Sequence, residues 1–133
     1  MLHIASRDVC LIQTLSSTQV QIDGRIVGNG ELGIEALYAD QYVDLTNVTI
    51  GSLMITQSWM GSASAKTISV RSGPQISSGS LTITNKNVNL EFTVDVVDLL
   101  RVGSVTVGER ATLNGGDATI YASSWDSSAG KWI

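Results

Sequence analysis

The chain has 133 residues, a length typical of one domain, and 43% of them are hydrophobic, which is enough to form a core. Charged residues make up only 15%, the net charge is −4, and no run of Lys or Arg occurs, so nucleic-acid binding is not expected. No stretch reaches the roughly 18 apolar residues of a membrane span. The start of the chain lacks the features of a signal peptide, so we expect synthesis in a cytoplasm without export or membrane insertion.

The N-terminal part of the chain contains three extended segments. These are Leu2–Ala5, Val9–Gln13 and Gln19–Asp23, and together they are interpreted as an N-terminal arm over 1–23. Cys10 lies in an apolar run and is expected to be a small buried thiol; a nucleophile with His3 as its base is the alternative. A single cysteine excludes an intramolecular disulfide, and with a single histidine it excludes a Cys/His metal site.

Two Asx-Gly pairs, Asp23-Gly24 and Asn29-Gly30, predict closely spaced turns with very short strands over 24–37. Alternating apolar residues then predict strands between 38 and 57. Residues 58–66 are a small-residue loop that carries Trp59 and Met60, interpreted either as a contact site or as a plug over one end of the core. Another strand is predicted over Thr67–Arg71.

The longest alternating pattern runs from Leu81 to Val94 and is split by Asn85-Lys86-Asn87, which indicates a hairpin or a corner. Residues 94–100 are ambiguous, and strand or irregular structure is preferred to helix because valine is a poor helix former. The last third contains three more short strands. Residues 121–133 are interpreted as a C-terminal anchor that includes Trp125, Trp132 and Ile133.

A five-residue phrase recurs along the chain: glycine, any residue, an aliphatic residue, any residue, then Ile or Val. Clear copies are Gly51–Ile55, Gly79–Ile83 and Gly103–Val107, and looser ones are Gly30–Ile34 and Gly116–Ile120. Each is predicted to be a turn glycine that leads into a strand with its apolar residues on one face.

The five opening glycines, at positions 30, 51, 79, 103 and 116, are unevenly spaced along the chain. A regular solenoid would keep its interval constant. The predicted fold is therefore all-β in one domain over 1–133: either a β-sandwich of jelly-roll type, or a short irregular β-helix or β-prism. The unpaired strand edges at the two ends of such a short β-structure tend to pair with other chains. This favours a homo-oligomer, and a homotrimer in particular.

Few residues suggest catalysis or ligand binding. The closest acidic pairs, Asp40/Asp44, Glu31/Glu35 and Asp95/Asp98, do not have the spacing of a glycosidase pair on strands, so solvated carboxylates are preferred. Asn114–Asp117 matches part of one calcium-binding repeat, which in a single copy is a turn. No metal, cofactor or enzymatic activity is therefore predicted. Tryptophan and tyrosine side chains leave glycan binding as an alternative.

The recurring glycine-and-strand pattern of Asp44–Ile55 and Leu100–Ile120, together with the Trp-rich end of the chain, resembles the β-repeat segments of bacteriophage tail-fibre, tailspike and capsid-decoration proteins. The resemblance implies a non-enzymatic, cofactor-free virion protein that forms a homotrimer and binds a larger capsid or tail protein. The partner-binding residues expected are Trp59, Met60, Trp125, Trp132 and Ile133. The alternative function is a carbohydrate-binding β-module or adhesin tip.

Overall fold

The computed structural model describes thirteen parts of the chain. They are residues 2–4, 8–14, 19–21, 25–37, 41–44, 48–59, 61, 66–71, 77–96, 100–115, 120–122, 125–126 and 131–132. Within them the secondary structure is almost entirely strand, and no helix occurs. Met60, Asp40, Asp98, Asp117 and Ile133, which were named above, lie outside the described residues.

Fourteen strands are described. They are β1 (Leu2–Ile4), β2 (Val9–Thr14), β3 (Gln19–Gln21), β4 (Ile26–Ala36), β5 (Gln41–Asp44), β6 (Val48–Gln57), β7 (Thr67–Arg71), β8 (Ser77–Asn85), β9 (Phe92–Val96), β10 (Leu100–Val107), β11 (Ala111–Asn114), β12 (Ile120–Ala122), β13 (Trp125–Asp126) and β14 (Lys131–Trp132). The strands predicted within 1–23 and at 67–71 are confirmed.

The strands form two larger sheets in which every pair is parallel. The first sheet has the order β1-β4-β6-β8-β10-β12, with β2 also paired to β4, and the second has the order β11-β9-β7-β5-β3. From β4 to β12 the chain alternates between the two sheets, so each circuit adds one strand to each of them. The described part of the chain is therefore a stack of coils, with a small antiparallel pair, β13–β14, near its end.

This arrangement contradicts the predicted fold class. The prediction preferred a β-sandwich of jelly-roll type and gave a short irregular β-helix or β-prism as the alternative. Sandwiches and jelly rolls are built from antiparallel strands, whereas the two larger sheets contain parallel pairs throughout. The cause is visible at Asn85–Asn87, where the turn signal is a corner between β8 and β9 in different sheets rather than a hairpin. Alternation reports which face of a strand is apolar and carries no information on the direction of its neighbour.

The recurring phrase supplies the core of the first sheet. Four of its copies stack in register, and the aliphatic positions form two continuous rows across the sheet. The first core row is Leu32, Leu53, Leu81 and Val105, and the second core row is Ile34, Ile55, Ile83 and Val107. The six residues of these rows in β4, β6 and β8 are each at most 1% exposed.

The fifth copy of the phrase is out of phase. Ile120 pairs with Leu100 at the start of β10, and not with Val107 at the end of the second core row. The short interval between Gly103 and Gly116 is therefore not one coil. The three longer intervals before it each separate paired positions in neighbouring strands, so each of them is one coil.

Gly30, Gly51, Gly79 and Gly103 lie inside strands, so the turns predicted at these four glycines are wrong, and Gly116 lies outside the described residues. Gly51 is within β6, and the buried positions change from Val48 and Ile50 before it to Leu53 and Ile55 after it, which marks a bend. A Cβ atom at Gly51 would collide with the backbone carbonyl of Asn29, so only glycine allows the coils to approach at this bend.

The prediction of very short strands over 24–37 is also wrong, because β4 is 11 residues long. Its irregularity is a shift in pairing between Gly28 and Glu31. Gly28 has a φ of +129°, and a Cβ atom there would collide with the carbonyl oxygen of Ile4 in β1. The glycine-rich sequence thus forms a bulge within a strand rather than a series of turns.

Buried amides follow the aliphatic rows where the strands of the first sheet end. Gln57 and Asn85 are register partners, and they are 1% and 6% exposed. The Nε2 atom of Gln57 donates to the carbonyl of Leu37 at 3.0 Å, and the Nδ2 atom of Asn85 donates to the carbonyls of Leu90 at 2.7 Å and Arg110 at 2.9 Å. These side chains satisfy backbone groups at the corners between the two sheets.

Candidate interaction surfaces

The N-terminal end of the stack exposes apolar side chains. Val9 and Leu11, on the outer face of β2, are 62% and 54% exposed, and Leu2 of β1 is 47% exposed. Cys10 and Ile12, on the inner face, are only partly buried against the core because no described coil lies beyond them. Among the described residues, β2 pairs with β4 alone, so its other edge has no strand partner there.

The C-terminal end of the stack is partly covered. Strand β12 pairs with residues 100–102 of β10, and no described strand pairs with the far edge of residues 104–107. Val105 and Val107, the last members of the two core rows, are therefore each 41% exposed although they continue rows of buried side chains. Their exposure follows from their place in the stack, since the alternation of β10 is the same as that of β8.

Trp59, a predicted contact residue, lies at the corner after β6 and is 39% exposed. The corner is held from the next coil by Asn87, whose Nδ2 atom donates to the carbonyls of Trp59 and Gly61, each at 3.2 Å. The indole nitrogen lies so close to Gly61 that a Cβ atom there would be 2.7 Å from it. The Asn87 side chain thus holds the backbone of Trp59 at a corner where this residue is partly exposed.

Asn87 itself is 1% exposed and organises its own turn. Its Oδ1 atom accepts hydrogen bonds from the backbone nitrogens of Asn89 at 2.8 Å and Leu90 at 3.0 Å. Sequence reasoning identified a turn here but not this role, and the signal was the pair Asn85 and Asn87, since asparagine side chains commonly bond to backbone groups close in sequence.

Arg110 holds the same corner from the coil beyond. Its Nε atom donates to the carbonyl of Asn87 at 2.9 Å, and an Nη atom donates to the carbonyl of Asn85 at 3.4 Å. Arg110 has a φ of +53°, a region that side chains other than glycine rarely adopt. Three successive coils are therefore linked through Trp59, Asn87 and Arg110.

Two of the predicted C-terminal residues, Trp125 and Trp132, lie in the antiparallel pair. Trp125 of β13 is the register partner of Trp132 of β14, so the backbone brings the two tryptophans opposite each other. Trp59 follows β6 and is not part of this pair. Met60 and Ile133 are outside the described residues.

The two predicted pairs that lie wholly within the described residues, Cys10 with His3 and Glu31 with Glu35, are not assembled into a site. His3 pairs in register with Val27 and Cys10 with Leu32, so the two lie roughly 17 Å apart along β4 at some 3.3 Å per residue. Glu31 and Glu35 share the outer face of β4 four residues apart. Among the described residues, no group of three or more His, Cys, Asp or Glu side chains could hold a metal ion.

A shallow, open pocket of about 260 Å³ lies at the bulge of β4. Its lining residues are Asp8, Val9, Asn29, Gly30, Glu31 and Ser52. The pocket therefore adjoins the exposed N-terminal strand β2 rather than the Trp59 corner.

Sequence reasoning missed β2 as an exposed strand. The signal was the run Val9-Cys10-Leu11-Ile12, which is apolar on both faces of a strand. Such a run is expected for a strand covered on both sides, yet here Val9 and Leu11 face outward with more than half of each exposed.

Comparison with known proteins yields no relative: no family model, no curated protein and no solved structure matches the chain. Within the described ranges, no helix is long and apolar enough to cross a membrane.

Proposed function

We propose that the protein is a non-catalytic structural component of a larger protein assembly, to which it binds as a homo-oligomer. The observation that carries the proposal is the N-terminal end of the coil stack, where β2 has an edge without a strand partner among the described residues and also exposes apolar side chains. Strand β2 contains no charged residue and no proline, the two devices that commonly keep edge strands from pairing with other chains. Its outer residues Val9 and Leu11 add apolar surface beside that edge.

The assembly we propose is a bacteriophage virion, with the chain acting as a capsid-decoration, adaptor or tail-fibre component. Support for this setting comes from the resemblance of Asp44–Ile55 and Leu100–Ile120 to virion β-repeats and from the low content of charged residues, 15%. The two ends of the coil stack differ, since β2 is exposed at one end and β12 covers part of the other. A protein with two different ends can bind a lattice in one defined orientation.

The test is association with particles. Virions from a culture that produces this chain are banded on a density gradient, and the chain is quantified in each fraction with an antibody. We expect it to co-migrate with the particles at a fixed ratio to the major capsid or tail protein, also after a wash at high salt. A chain that stays entirely in the soluble fractions would overturn the proposal.

A second candidate is carbohydrate binding, which the partly exposed Trp59 favours. An indole that is 39% exposed and backed by Gly61 could stack on one face of a sugar ring. A glycan array with the native protein and with Trp59→Ala separates the two functions. Binding that is lost in Trp59→Ala would favour the carbohydrate function, and an array without binding would remove it.

A further inference from the structure

We propose that the N-terminal end of the stack is a two-fold interface in which β2 pairs antiparallel with β2 of a second copy of this chain, with Leu11 on the axis. The inference rests on the proposed function in that both require this chain to associate with copies of itself. It names the partner of the exposed edge, a second copy, and the register of the contact.

The sequence of β2 is compatible with itself in this register. If Leu11 lies opposite Leu11 of the second copy, Cys10 lies opposite Ile12, and Ile12 opposite Cys10. Residues of the inner face then lie opposite residues of the inner face. Each small Cys10 side chain faces a larger Ile12 side chain of the other copy. The outer face brings the two exposed Leu11 side chains together, which removes apolar surface from water.

Charge does not oppose the contact. Strand β2 has no charged residue, and the nearest one along the chain is Asp8. On the neighbouring strand β4, Glu31 and Glu35 pair in register with Val9 and Gln13, and three strand spacings of about 4.8 Å would separate them from β4 of the second copy. In the proposed register Asp8 lies opposite Thr14 of the second copy, so the two Asp8 residues are separated by six residues, or roughly 20 Å at about 3.3 Å per residue. Since this exceeds a Debye length of about 8 Å at physiological salt, their repulsion is weak.

The opposite end of the stack does not offer an equivalent place for the second copy. Continuing the stack head to tail would set β2 on residues 104–107 of β10, with Leu11 beside Thr106 in the same outer row. The same placement would set β1 on residues 100–102, where β12 is already paired. The occupied position disfavours head-to-tail stacking and leaves the two-fold contact, which closes with two chains.

Disulfide trapping tests the register. The native Cys10 is first replaced by Cys10→Ser, and Leu11→Cys is then introduced and oxidised. Residues directly opposite each other in an antiparallel pair have Cα atoms about 4.5–5.5 Å apart, within reach of a disulfide. We expect a covalent dimer on non-reducing gels.

The matched control is Val9→Cys in the same background. Val9 lies opposite Gln13, so the two copies of residue 9 are four residues, or roughly 13 Å, apart and should not cross-link. The double variant Leu11→Cys/Thr106→Cys reports the head-to-tail alternative. A ladder of multimers from the double variant, without a dimer from Leu11→Cys alone, would overturn the two-fold contact.

The solution mass provides an independent measurement. Light scattering should give twice the 14.1 kDa chain mass for the native protein, and one chain mass for Leu11→Lys, which places two positive charges on the axis. Leu11 is already 54% exposed, so lysine at this position should not disturb the fold of the single chain. The thermal unfolding midpoint of Leu11→Lys should therefore stay close to that of the native protein. Thr106→Lys, at the other end, should leave the mass at two chains. A native monomer, or a trimer unaffected by Leu11→Lys, would overturn the inference.

Failure of the inference and failure of the proposed function are distinguishable. A chain that cross-links through Leu11→Cys but does not band with particles supports the dimer and overturns the function. A chain that bands with particles but gives no Leu11→Cys dimer supports the function and overturns the two-fold contact.

Discussion

The substitution Asn87→Ala tests how strongly one buried amide holds the corners of the stack. Four hydrogen bonds join the side chain to backbone groups of described residues: it donates to Trp59 and Gly61 in the preceding coil and accepts from Asn89 and Leu90 in its own turn. Alanine removes all four and leaves those groups without this partner at a position that is 1% exposed.

The expected loss can be worked from these contacts. A hydrogen bond contributes about 1 kcal/mol net, so four of them correspond to about 4 kcal/mol. Water can reach part of the turn, because Asn89 and Val88 are exposed and can be hydrated. We therefore expect the free energy of unfolding to fall by about 3 kcal/mol, which is above the usual effect of a single substitution.

The assay is urea unfolding followed by circular dichroism, with Asn89→Ala as the matched control. Asn89 is exposed and enters the network through its backbone nitrogen, which alanine retains, so its free energy of unfolding should change by less than about 0.5 kcal/mol. A loss below about 1 kcal/mol in Asn87→Ala, or equal losses in the two variants, would refute the claim that this amide holds the corner.

Three further predictions use the same measurement. Gly28→Ala should destabilise by more than about 2 kcal/mol, because its Cβ would collide with a backbone carbonyl at a φ of +129°. Gly33→Ala should cost less, because its closest contact is a flexible side-chain carbon of Leu11 at 3.0 Å and the nearest backbone atom is at 3.8 Å. Arg110→Gly should be about 1 kcal/mol more stable than Arg110→Ala, since both lose the guanidinium but only glycine adopts a φ of +53° without strain; equal stabilities would contradict this. Leu81→Ala should cost about 2–5 kcal/mol and Val105→Ala, in the same core row but 41% exposed, less than about 1.5 kcal/mol; the reverse order would show that the end of the stack is covered.

The sequence identified most strands because strand faces are a local property. Alternation at Leu81 and Ile83 correctly marks the side chains that are buried. The extended segments predicted at the N-terminal end lie within one or two residues of the observed limits of β1, β2 and β3. The same local pattern could not identify β2 as exposed, because exposure depends on whether another coil follows it.

The sequence did not indicate how the predicted contact residue Trp59 is held in place. Trp59 was singled out as an aromatic residue in a small-residue loop, and it is partly exposed at a corner. Nothing near it in the sequence indicated that Asn87, in the next coil, donates to its carbonyl. Long-range hydrogen bonds of this kind arise from stacking of the coils, which sequence spacing does not specify.

The sequence alone determined two properties of this protein: the recurring phrase with its uneven intervals, and the apolar face of each copy. The tertiary structure decided that these copies pair in parallel, that Gly51 lies inside a strand, and that Val9, Leu11, Val105 and Val107 are exposed. The physical reason is that side-chain alternation follows from the geometry of one strand, whereas strand direction and end exposure depend on where the chain returns.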